Sequence, residues 1–375
     1  MDFDWTPEQR AARNTVAAFL DDAERARLRA AEDEGTPGLR GMTVHLQRRL
    51  AELHVFASAP VPGDESAALA LLAADLELGA ASASFLVAVQ ATRQCADLVA
   101  EHGSEKLRHG LLAALRAGER LATVALPDPG GAADGTPTAT PAPGGGWILR
   151  GRRPFLAGAP IADYLAVFAD AGGKTLVAVL RPGDAGVHVG NRLPLIGLHG
   201  LAAAPLELAD APVQADAVMG PFDGPAVECR VRRARDLGLA AASVGRMRAA
   251  WAAAKAHAES HRRGGKPLVA RQEIAFKLAE LLALTQTAEL LACRAAWMVS
   301  EAGEEANVLV RCAKVFCAET GERVTSGAMS VLAGHGCVAG NDVERAWRDA
   351  KTLAAMGSTV ETARMAIADE LLERP

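Results

Sequence analysis

The chain has 375 residues, half of them apolar but only 4% aromatic, with a formal net charge of −5. That length exceeds what one small core can hold and suits two or three packed subdomains. The mild acidity gives no reason to expect nucleic acid or a membrane surface as a partner, and basic clusters such as Arg230–Arg235 are short and sit beside acids.

The predicted elements begin with Thr6-Pro7-Glu8-Gln9, a helix start with threonine as N-cap, proline in the first turn and glutamine completing a capping box. Helical patterns follow around residues 43–55, 64–78, 81–101 and 104–117. The character changes at Leu121. Apolar runs of strand length occur at Leu121–Leu126, Trp147–Gly151, Tyr164–Ala169, Thr175–Leu180, Val187–Val189 and Ala204–Leu208, and Ala211–Val213 closes the set. Gly/Pro-rich stretches separate them, Gly135–Gly146 being read as loop; about six short strands point to a sandwich or barrel-like domain. Longer helices are predicted over Arg235–Ser260, Gln272–Val299 and Ala306–Ala333. Two more are predicted at Val343–Ala355, capped by Asp342, and at Val360–Leu372. The expected fold is α+β and mostly α: a helical domain at 1–120, a small β-domain at 121–224 and a C-terminal four-helix bundle at 225–375.

The six cysteines form no CxxC pair and are expected to be buried thiols, so neither disulfides nor a metal site are anticipated. Met1-Asp2-Phe3-Asp4-Trp5 lacks a signal peptide's apolar run, and no stretch reaches the ~20 apolar residues of a membrane span, so a cytoplasmic protein is expected.

Val343-Glu344-Arg345 through Arg348-Asp349-Ala350-Lys351 resembles the near-C-terminal signature of the acyl-CoA dehydrogenase family, and the order helices, sheet, helices resembles that family along nearly the whole chain. The resemblance implies α,β-desaturation of an acyl-CoA thioester by FAD. Such chemistry needs a carboxylate base against the α-proton and donors on the thioester oxygen. Where many members read Tyr-Glu-Gly-Thr, this chain reads Met356-Gly357-Ser358-Thr359, so a glycine stands at the catalytic glutamate's place. The family's alternative position for that glutamate falls on Arg235, an obligate cation. Asp236 beside it and Glu228 upstream, expected to precede the helix, are the carboxylates left to weigh. His199 stands in a loop where the family has a structural arginine.

The flavin-ring loop, Thr-Glu-Pro-Gly-Ala-Gly-Ser-Asp in the family, reads Pro127 to Asp134 here, and the aromatic-Ile-Thr segment reads Phe155-Leu156-Ala157, so three hydroxyl ligands are missing. The segments that in the family reach a neighbouring subunit's ADP moiety are better kept. They place Arg262, Arg263 and Gln272 in one stretch and Gly334, His335 and Gly336 in the other, as candidate cofactor contacts. This asymmetry resembles the non-catalytic subunit of a heteromeric α2β2 acyl-CoA dehydrogenase of the steroid-degradation type. It would be inactive alone, would complete the FAD site of a homologous catalytic subunit that binds acyl-CoA, and would pass electrons to an electron-transfer protein. The alternatives are a self-sufficient dehydrogenase or flavin monooxygenase on the same fold, or a structural homologue without flavin.

Overall fold

The computed structural model describes residues 4–56, 64–127, 136–301 and 305–372. The first helices are α1 (Pro7–Phe19), α2 (Asp22–Asp33), α3 (Thr36–Glu52), α4 (Glu65–Ala81) and α5 (Ala83–His102). The short α6 (Glu105–Leu107) and α7 (Ala113–Arg116) then flank a π-turn at Arg108–Leu112. The capping box of α1 forms as expected: Gln9 N–H donates to Thr6 Oγ1 at 3.3 Å and Thr6 N–H to Gln9 Oε1 at 3.0 Å. The helix α2 was not anticipated; only Leu28 and Ala31 give it a buried apolar face, too little for a recognisable stripe.

The strands are β1 (Ala122–Ala125), β2 (Thr138–Pro141), β3 (Trp147–Ala157), β4 (Tyr164–Asp170), β5 (Thr175–Leu180), β6 (Val187–Val189), β7 (Ala203–Val213) and β8 (Val218–Phe222). They form one sheet in the order β6-β7-β3-β2-β4-β5-β8, with β1 parallel to β4. Alternate residues of β4 point to opposite faces. Leu165 and Val167 join Leu176, Leu206 and Leu208 in one cluster, while Ala166 and Phe168 pack with Cys95, Leu98 and Val99 of α5. That second face ties the sheet to the first helices.

The remainder is α8 (Ala226–Ser260), a small hairpin of β9 (Arg262–Arg263) and β10 (Lys266–Pro267), α9 (Gln272–Ser300), α10 (Ala306–Leu332), α11 (Asp342–Ala355) and α12 (Val360–Leu372). Small residues let these helices approach closely: a Cβ on Gly245 would stand 2.5 Å from the Gly79 carbonyl carbon and the Ala80 nitrogen. The cap of α11 is Asn341, whose side chain accepts from Val343 N–H at 2.9 Å; Asp342 is the first helical residue instead. All six cysteines are free thiols. Cys95 and Cys317 are buried, and burial pushes the Cys95 thiol up to about 12; Cys337, against expectation, is exposed. Among the described residues no helix is long and apolar enough to cross a membrane, and no group of His, Cys, Asp or Glu is arranged to hold a metal ion.

Candidate active site

Gly357 lies in the turn between α11 and α12 with φ +71°, a backbone region that favours glycine. A Cβ built there would be 2.9 Å from Leu239 Cδ1, 3.1 Å from Asp236 Oδ1 and 3.4 Å from Arg235 Nε. The turn therefore sits directly against α8, and the two positions weighed for a catalytic carboxylate, together with Asp236, converge on one spot. A side chain on residue 357 would press on the ends of the Leu239 and Asp236 side chains, which would have to shift.

Asp236 is 2% exposed and its Oδ1 has no hydrogen-bond partner. Burial pushes its carboxyl above the usual range, against the opposing pull of Arg235, Lys314, Arg232 and Arg311. Lys314 of α10, which the sequence reading did not single out, is 1% exposed. Its Nζ donates to the Ser358 carbonyl and, at 3.4 Å, to that of Ala354. Burial brings its pKa down to about 8, opposed by Asp236 and reinforced by Arg235. The lysine thus fastens the turn holding Gly357 from behind, and the field of the Asp236 carboxylate partly offsets the burial of its charge. A lone lysine among Ala313, Val315 and Cys317 was the available signal.

Glu228 lies in the first turn of α8, inside the helix rather than before it, and pairs with Arg232 one turn on. Arg232 also donates to the Pro127 carbonyl at 2.8 Å. His199 is held elsewhere: its Nε2 is 2.9 Å from Arg348 Nη1 and its carbonyl accepts from Arg192 at 2.8 Å, which docks its loop on α11.

Two tests bear on whether a flavin fits. On the ring side, Asp128 to Asp134, including Ala133, fall outside the described residues. Of the rest, Pro127 has no N–H and its carbonyl is taken by Arg232. The carbonyl of Ala157 accepts from Thr123 Oγ1 at 2.6 Å, and the cavity lined by Ala157, Gly158, Val87 and Thr92 measures about 20 Å³. That is space for about one water. The described part of the ring-side segment offers no side-chain hydroxyl at Pro127 or Ala157.

The other end differs. The β9–β10 hairpin turns through Gly264 and Gly265, both with positive φ, and exposes Arg262 and Arg263. The rings of His257 and His261 stack at 4.9 Å, and His335 lies 5.4 Å from each. The fold thus unites the two segments carrying Arg262, Arg263 and Gly334, His335, Gly336, which are far apart in sequence. Gln272 is exposed at the start of α9, and nothing crowds Gly334. Burial, then the neighbouring His261 and His335, holds the His257 pKa below its ordinary value. Exposed cations and open glycine backbone suit the phosphates of a dinucleotide. His257 belongs to this group and was missed.

Residues 233–372 match the family model for the acyl-CoA dehydrogenase C-terminal domain. Benzylmalonyl-CoA dehydrogenase of Aromatoleum aromaticum is 28% identical over 99% of this chain and 100% of its own length. The 3-(aryl)acrylate reductase of Clostridium sporogenes is 29% identical over 72% of this chain and 74% of its own length. Butyryl-CoA dehydrogenase from Megasphaera elsdenii superposes with a TM-score of 0.84 at 24% identity, covering 99% of this chain and 100% of that one. The fold is that of an acyl-CoA dehydrogenase, and the matches support that family for the chain.

Proposed function

We propose that the chain is the base-lacking subunit of a heteromeric, flavin-dependent acyl-CoA dehydrogenase, with residues 1–120, 121–224 and 225–375 as its domains. The observation that carries this reading is Gly357: it offers no proton acceptor, and its turn packs against Asp236, Arg235 and Leu239 of α8. When bound, FAD supplies the hydride acceptor for desaturation. Arg262, Arg263, Gln272, Gly334, His335 and Gly336 are the residues of this chain that would hold its ADP end, on behalf of a homologous catalytic subunit carrying the acyl-CoA. An electron-transfer protein would be the acceptor. A surface for such a partner is available on α9, where Phe276, Leu290 and Trp297 are exposed by 65%, 51% and 38% at heptad spacing. Co-expression with a homologous subunit that has an intact helix glutamate tests the reading. The pair should purify together, yellow and active, and lose both flavin and activity with Arg262→Ala/Arg263→Ala in this chain.

A second reading, a self-sufficient dehydrogenase using Asp236, draws support from its buried, unbonded Oδ1 and raised pKa. It requires the lone chain to retain FAD and to oxidise an acyl-CoA, with Asp236→Asn abolishing turnover.

A further inference from the structure

A cavity of about 450 Å³ opens between α2, the α4–α5 junction, α8, α9 and α11. Arg246 in its wall is ten residues beyond Asp236 on α8, about 15 Å along the helix axis, so the cavity is separate from the site above. Five guanidiniums line it, from Arg25, Arg29, Arg246, Arg248 and Arg345, against the three carboxylates of Glu32, Asp342 and Asp349.

The pairing leaves one positive charge over. Arg29 meets Asp342 at 2.7 Å and Arg345 meets Glu32; Arg248 is met by Glu77 at 2.7 Å, an oxygen it shares with Arg13, and stands 3.9 Å from Glu289, so these four cations face four carboxylates. Asp349 is left for Arg246, and Arg25 lines the cavity without a carboxylate of its own. Asp349 stands 3.7 Å from Arg246, and its Oδ1 already accepts from Leu198 N–H at 2.7 Å. Among the described residues no carboxylate pairs with Arg25, whose Nε donates to the Leu20 carbonyl at 2.9 Å. Arg246 is 7% exposed; its Nη2 donates to the Ala80 carbonyl at 3.1 Å, but its Nε lacks a hydrogen-bond partner. A buried, under-satisfied guanidinium is costly unless a ligand completes it. Facing these charges are Leu28, Leu282 and Trp251, whose indole is fixed by a 3.0 Å hydrogen bond to the Leu278 carbonyl.

We propose that this cavity binds a small organic carboxylate, its head between Arg246 and Arg25 and its apolar body against Trp251, Leu28 and Leu282. One surplus positive charge suits a monoanion better than a phosphate dianion, and the apolar wall suits a carbon body better than an inorganic ion. The volume lies within the range of small-molecule sites. The inference stands apart from the assignment at Gly357 and survives if that assignment fails.

Titration calorimetry and tryptophan fluorescence of the full chain with octanoate test it, with octan-1-ol and inorganic phosphate as comparison ligands. Octanoate should bind one per chain and change the fluorescence, and Trp251→Phe should remove that change. Losing a charged hydrogen bond should weaken binding at least about tenfold in Arg246→Gln and about fivefold in Arg25→Gln, and octan-1-ol and phosphate should bind about tenfold more weakly than octanoate. Arg25 is only half-buried, so Arg25→Gln keeps the test open if Arg246→Gln does not fold. Absence of octanoate binding, unchanged affinity in Arg25→Gln, or a fluorescence change that persists without Trp251 would overturn the site. Phosphate binding more tightly than octanoate would overturn the carboxylate class.

Discussion

The turn at Gly357 and the hairpin at Arg262–Pro267 carry similar kinds of charge and use them in opposite ways. Around Gly357 the cations are inside. Lys314 is tied to backbone carbonyls, and with Arg232, Arg235 and Arg311 it surrounds the carboxylate of Asp236. Around the hairpin, Arg262, Arg263, His261 and His335 are exposed, and the histidine rings crowd one another. Burial is what separates the two. Inside, each charge must find its partner within the chain, so the cluster is a structural clamp. Outside, charges of one sign can gather and wait for an anion.

Breaking the inner clamp should give the largest effect. Asp236→Leu removes the carboxylate whose field offsets the burial of Lys314, with no direct ion pair between the two, and should cost about 3 kcal/mol of unfolding free energy. Asp236→Leu with Lys314→Met should recover most of it, as denaturant titration of the two variants would reveal. If Asp236→Leu alone proves neutral, the clamp does not exist.

The same clamp has a pH signature. The folded-state pKa of Lys314 is depressed from 10.5 to about 8, so below about 8 both states are charged and the folded state bears the full penalty. As pH rises from about 8 toward 10.5 the folded form sheds a proton that the unfolded form keeps, and stability rises. Relative to Lys314→Met, the parent protein should gain on the order of 3 kcal/mol across that window. A difference that stays flat or falls with pH would show that Lys314 is not held as described.

Gly357→Glu sharpens the comparison by asking whether the clamp can be turned back into a catalytic site. The positive φ and the contacts with Leu239 and Asp236 should lower stability by about 1–3 kcal/mol without conferring dehydrogenase activity on the lone chain. Melting and turnover measured together decide it, and gained activity would mean that the space was only nominally filled. At the open end the smallest effect is expected. His335→Ala removes one of the two histidine neighbours that lower the His257 pKa, so its NMR titration midpoint should rise, burial keeping it below ordinary histidine. An unmoved midpoint would dissolve the cluster.

Much of the fold was legible because local chemistry and tertiary context agree. The Thr6–Gln9 capping box formed, and β5, β6 and α12 begin and end where alternation and turn residues put them. Elements set by partners rather than by their own sequence were harder. Thr138–Pro141 reads as a loop, yet it pairs with Trp147–Arg150 of β3; Val218–Phe222, with Gly220-Pro221 inside it, is admitted only at the sheet edge. For the site, sequence could mark Gly357, Arg235 and Asp236 one by one. That they meet, with Lys314 behind them, depends on how α8, α10 and the α11–α12 turn pack. The same holds for His257 joining His261 and His335, since one helical turn and a distant glycine-flanked histidine carry no mutual signal until the chain is folded.

The most direct measurement is the absorption spectrum of the chain purified alone and again after co-expression with a homologous subunit that carries the helix glutamate. The account predicts a colourless lone chain, and a yellow complex that oxidises an acyl-CoA. A lone chain that emerges yellow and oxidises an acyl-CoA unaided would contradict it.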